Sequence, residues 1–170
     1  MNTINAVVIK PGLLPEYIDN IENSYHAVKS LFDMDSVFMT TYLRLSDDGL
    51  VILGDDNAKI DKLPLNRVLE SDFWLGTVVV VKEKPDMDFD DNSDEYYCRM
   101  SDEEVNEIIK IFTEKYPPIE GEADFSVIVN PDNPFQQIQQ LRIDGKIVQE
   151  SNYMSFLPFD GDNIFSFLGI

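Results

Sequence analysis

The stretch GTVVVVK, residues 76–82, constrains this chain more than any other. Four valines in succession have β-branched side chains, which favour extended backbone, and successive side chains of a strand point to opposite faces. A strand apolar on both faces needs cover on both, so this run belongs inside a layered sheet and not on a solvated surface. The other segments are therefore read as its neighbours or its cover.

INAVVIK (4–10) is a β-branched strand ended by Pro11-Gly12, and EYIDN (16–20) continues as a hairpin partner. Ile21, Tyr25, Val28, Leu31 and Phe32 recur at helical spacing, which predicts an amphipathic helix over 21–33. SVFMTTYLRL (36–45) alternates as a strand, and Asp48-Gly49 turns it into LVIL (50–53). Farther on, Ser101 with Glu104 three residues later forms a capping box. Val105, Ile108, Ile109, Phe112 and Tyr116 then make a helical stripe that Pro117-Pro118 stops. ADFSVIV (123–129) reads as a strand and LRIDGKIVQ (141–149) as a hairpin with Asp144-Gly145 at its tip. The expected fold class is α+β, with two small subdomains of antiparallel strands each packed on a helix.

Charge places the expected boundary. The 170 residues carry a net charge of −19, with 12 acidic and 7 basic side chains in 1–82 against 20 and 6 in 83–170. With Lys84-Pro85 at the join, this predicts one domain over 1–82 and an acidic one over 83–170, headed by an acidic segment at 83–100. Eighteen Phe and Tyr residues are ample for a packed core. Direct binding to nucleic acid or an anionic membrane demands basic surface and is excluded as an expectation. The N-terminus lacks a secretion pattern, no stretch approaches a membrane span, and the single Cys98 forms no intramolecular disulfide. A cytoplasmic location is expected.

The acids concentrate in PDMDFDDNSDEYY (85–97), where six of thirteen residues are carboxylates. As an EF-hand it fails: counted from Asp86, Asp91 stands where glycine is needed and Tyr97 where a bidentate Glu closes the shell. One His and one Cys cannot build a zinc site, His26 falls on the polar side of its helix, and Cys98 among acids is a poor nucleophile. No glycine-rich phosphate loop is present. The expectation is therefore a protein that is not an enzyme and takes no metal or cofactor. Aromatics interrupt the acids as they rarely do in linkers, so the segment is expected to order as an edge strand or loop with its charge outward. A strand bearing a carboxylate at every second residue spaces its charges by roughly 6–7 Å. Duplex DNA carries one per ~1.7 Å, so a DNA-like surface needs further acids gathered alongside. The candidate partner-binding residues are Asp86, Asp88, Phe89, Asp90, Asp91, Asp94, Glu95, Tyr96 and Tyr97, joined by Asp102, Glu103, Glu104 and Glu107 at the start of the next helix.

Several features of the first half carry a resemblance. They are the strand ending in Pro11-Gly12, Ile18-Asp19-Asn20, the hairpin at Asp47-Asp48-Gly49, Leu63-Pro64-Leu65-Asn66-Arg67, and Gly76-Thr77 before the valine strand. Residues 4–82 thereby resemble an uncharacterised domain family widespread in phages, plasmids and other mobile elements. The family's glycine-rich break after the helix is replaced here by FDMDS. The resemblance implies a small accessory protein of a mobile element. With the charge, it leads to the expected function: occupying the basic nucleic-acid-binding surface of a host defence nuclease, of CRISPR or restriction type, with an acidic, DNA-mimicking face. One rival is a scaffold module that self-associates through Ile164, Phe165, Phe167, Leu168 and Ile170. The other is a small-ligand or carboxylate-dependent enzyme domain with its site near Asn66, Arg67 and Trp74. Read structurally, Asn66 caps a helical turn and Arg67 pairs with a nearby carboxylate.

Overall fold

The valine run forms β7 (Val78–Glu83), in the interior of a six-stranded antiparallel sheet. The computed structural model describes residues 2–34, 36–70, 72–85 and 96–154. Its other strands in this sheet are β1 (Thr3–Ile9), β2 (Glu16–Glu22), β3 (Met39–Arg44), β4 (Leu50–Asp55) and β8 (Tyr97–Cys98). The order is β2-β1-β7-β4-β3, and β8 continues the β1 side of β7 by pairing with Lys82 and Glu83. Val78, Val79, Val80 and Val81 are all fully buried, as a two-sided strand requires.

Alternation along the strands defines the two faces. Ile4, Ala6, Val8, Val51, Leu53, Val79 and Val81 meet Val28 of α1 (Tyr25–Ser30) and the following Phe32. Val7, Ile9, Ile52, Val78 and Val80 face the other way. There they meet Val105, Ile108 and Phe112, on α2 (Asp102–Lys110) and its π-helical continuation Ile111–Lys115. Trp74 joins this layer from β6 (Phe73–Leu75), which forms a small ribbon with β5 (Leu65–Val68).

α1 is shorter than the helix expected over 21–33. Ile21 and Glu22 pair with Ile4 and Thr3, so they belong to β2, and Ser24 then caps the helix by accepting from the Ala27 N–H at 3.2 Å. Helical spacing at 21 and 25 was shared by a strand residue and a helix residue. α2 starts on the expected capping box, with both reciprocal bonds present.

The chain divides into two compact units, Met1–Ile119 and Glu120–Ile170. The division expected near residue 83 is found instead between Ile119 and Glu120; residue 83 ends β7, which pairs directly with β8 across the acidic segment. β8 and α2, assigned by charge to the second half, help close the core of the first unit. Charge density did not mark the boundary because acids ride on exposed positions of either unit.

The second unit contains a three-stranded antiparallel sheet, ordered β11 (Lys146–Met154), β10 (Asn133–Ile143), β9 (Ala123–Asn130). Its β10–β11 turn is Asp144-Gly145, both at positive φ, as the sequence led one to expect. Among the described residues of this unit there is no helix, so the expected pairing of a helix with each set of strands holds only for the first unit. The fold is built mostly of antiparallel strands in three sheets, more β-rich than the expected class. Among the described residues no helix is long and apolar enough to cross a membrane.

Candidate functional site

The acidic segment is rooted in a hydrogen-bonded frame. Glu83 stands opposite Tyr97 in the β7–β8 pairing, and the Lys84 N–H donates to the Tyr96 carbonyl at 3.2 Å. Two asparagine side chains then take the place of missing strand neighbours. The Asn23 amide donates to the Tyr97 carbonyl at 2.7 Å and accepts from the Tyr97 N–H at 3.2 Å. Asn5 does the same for Met100, donating at 3.0 Å and accepting at 2.8 Å. Each carboxamide carries a donor and an acceptor in one plane, which is what a neighbouring peptide unit would offer. Both asparagines are buried.

Around this frame lie the carboxylates of two elements. Asp102, Glu103 and Glu107 on α2 are exposed, as are Asp19 and Glu22 on the edge strand β2; Glu16, opposite Val8 and close enough to act on Lys10, lies at that strand's other end. Arg99 links the two sets: it bonds Asp19 at 2.7 Å, and the charge of Asp102 acts on it as well. The bond from Arg99 holds the Asp19 carboxyl below its ordinary range. Tyr96 is exposed at the root of the segment.

Two expected partner contacts are corrected. Tyr97 is only 5% exposed, because β8 turns its ring into the core layer beside α1. Burial, helped by Glu83, pushes its hydroxyl up to about 12. Glu104 is half-buried and already engaged, accepting from the Ser101 N–H at 2.7 Å and from Lys82 at 2.6 Å. Burial opposes its charge, but those bonds outweigh it and hold the carboxyl below the ordinary range. Asp86, Asp88, Phe89, Asp90, Asp91, Asp94 and Glu95 lie outside the described residues, as does the tail from Ile164 to Ile170.

Asn66 and Arg67 differ from the helix cap and carboxylate pair expected of them. Asn66 sits in β5, not at a helix start, and its amide donates to the carbonyls of Ile9 at 2.7 Å and Gly76 at 2.6 Å. Arg67 is fully buried and pairs with no carboxylate among the described residues. Its fork donates instead to the Leu13 carbonyl at 2.7 Å and to the Asn66 carbonyl and side-chain oxygen, each at 2.9 Å. Burial without a counter-charge lowers its pKa to about 10, so the guanidinium remains cationic at neutral pH. Asn66 and Arg67 thus tie the Pro11-Gly12 loop, β1 and the β5–β6 ribbon together.

Trp74, opposite Arg67 in the ribbon, is buried. With Tyr42, Phe112 and Tyr116 it lines a cavity of about 460 Å³ that also touches Leu43 and Leu45. His26 is exposed, as expected. Cys98 is half-buried, and burial pushes its thiol up, which disfavours the thiolate.

Asn5 and Asn23 escaped the sequence reading. The signal available was a polar residue within an apolar strand, INAVV, and a second at a strand–helix junction.

An interior valine strand, layers on both faces, and a polar frame holding an acid-rimmed edge define a small β-rich domain whose charged surface is carried on a rigid core. The chain belongs to the family described as Domain of unknown function (DUF3846), which matches residues 4–113. The match extends past residue 82 through α2, in keeping with the first compact unit. No curated protein and no solved structure matches the chain.

Proposed function

We propose that this chain is a non-enzymatic binding protein that sets an acidic face against the basic nucleic-acid groove of another protein. The observation that carries the reading is the gathering of exposed carboxylates from β2 and α2 at the root of the acidic segment. The segment alone is too sparse in charge to imitate a phosphate backbone, and these two elements supply the further acids. Net charge of −19 adds long-range attraction toward basic partners. The resemblance to a family of phages and other mobile elements makes a host defence nuclease, of CRISPR or restriction type, the natural target. Carboxylates then replace phosphates, the target's Lys and Arg side chains are neutralised, and nucleic acid is kept out. Tyr96, with Phe89 of the segment, supplies the aromatic anchors that ion pairs lack.

A panel of purified restriction and CRISPR nucleases tests this. The expected result is salt-sensitive binding to a member of the panel, competed by its nucleic acid and lost in the Asp102→Lys, Glu103→Lys, Glu107→Lys triple variant. Binding that survives both excess nucleic acid and the triple reversal would sink the proposal, as would a panel with no nuclease inhibited.

A further inference from the structure

The two edges of the six-stranded sheet are unlike. β2 carries Glu16, Asp19 and Glu22 exposed along it, a row of like charges that opposes addition of another acidic strand. β3, Met39–Arg44, has one charged residue, Arg44, at its end. Arg44 is met by Glu83 at 2.9 Å, so of the two edges of this sheet β3 is the one a second copy of this −19 chain can approach without facing a row of like charges.

Among the described residues its backbone pairs with no strand on the outer side. The Phe38 carbonyl accepts from the Asp56 N–H at 2.8 Å, and the Leu45 N–H donates to the Leu50 carbonyl at 2.7 Å. Antiparallel alternation from these fixed points, with the irregularity between Thr41 and Leu43, turns the N–H and C=O of Met39, Thr41 and Arg44 away from β4. Among the described residues no strand lies beyond them.

The same edge carries a knob at one end and a hole at the other. Phe38 is 62% exposed. At the opposite end Leu43 and Leu45 border the cavity of about 460 Å³ lined by Tyr42, Trp74, Phe112 and Tyr116. Phe38 pairs across with Asp56 and Leu43 with Ile52, which places Phe38 on the sheet face that carries Trp74 and α2. A two-fold axis normal to the sheet reverses the strand but keeps each face on its own side.

We propose that β3 pairs antiparallel with β3 of a second copy about such an axis, each Phe38 entering the aromatic cavity of the other. The arrangement is isologous, so it closes at two copies and continues the six-stranded sheet across the interface.

Sedimentation of the full chain across a concentration series tests this, with Trp74 emission followed in the same samples. A dimer is expected, with a Trp74 signal that changes on dilution. Thr41→Pro removes an outward N–H that β4 does not use, so it should leave the monomer's circular dichroism intact and abolish the dimer. Phe38→Ser touches only the knob and should weaken association about tenfold or more. A wild-type chain that stays monomeric throughout overturns the proposal. So does a dimer that persists in both variants, which would place association elsewhere, for example in the tail.

Discussion

Two asparagines do at single-residue scale what a strand would otherwise do. Asn5→Ala leaves the Met100 N–H and carbonyl buried without partners, and each orphaned group costs about 1–3 kcal/mol. Urea unfolding should therefore register a loss of about 2–4 kcal/mol with little change in slope. Tyr97 offers a second test at this scale, through pH. Its hydroxyl ionises at an ordinary 10.0 in the unfolded chain and only near 12 in the fold. Between those values the unfolded state holds fewer protons, so stability present below pH 10 drains away as pH rises toward 12. Tyr97→Phe should flatten that part of the stability profile, as read by denaturant midpoints across alkaline buffers. An unchanged slope would place the ring in water.

Elements were legible where one physical pattern ruled a whole segment. The valine strand, the capping box of α2 and the Asp144-Gly145 hairpin all stand as read, since each depends on local chemistry alone. The β5–β6 ribbon was not legible, because Asn66 and Arg67 look like cap and surface ion pair until the carbonyls of Ile9, Gly76 and Leu13 are brought to them. The first half of β10 was missed for a related reason. Gln137, Gln139 and Gln140 are polar by type yet buried. A further long-range dependence joins β3 to β4: the Tyr42 ring lies against Gly54, where an added Cβ would come within 2.1 Å of it. Gly54→Ala should displace the ring and cost about 1–3 kcal/mol, a typical penalty for overpacking. Much of that should return in the double variant with Tyr42→Leu, where the obstructing ring is gone, and a thermal melt of the pair decides it.

At the scale of the molecule, both apolar clusters around the six-stranded sheet draw, among the described residues, only on residues up to Tyr116. A chain ending at Ile119 should accordingly unfold in one cooperative transition, with Trp74 fluorescence as the probe. A gradual melt would show that the first unit depends on the second. The acidic candidates divide along the same line of reasoning. Those on α2 followed from helix periodicity, whereas the contribution of β2 rests on Arg99 reaching across from a segment remote in sequence.

The frame around the acidic segment has an evolutionary consequence. Lys84 and Tyr96 are bonded to each other, so the eleven residues between them begin and end at one place on the sheet. A connection closed in this way tolerates change: doubling its length costs roughly 0.6 kcal/mol in closure entropy. Selection for stability bears on Asn5, Asn23 and the valines, while the connection between Lys84 and Tyr96 is free to vary in length and sequence. Lineages carrying this domain can rewrite that insert and keep the scaffold as it is.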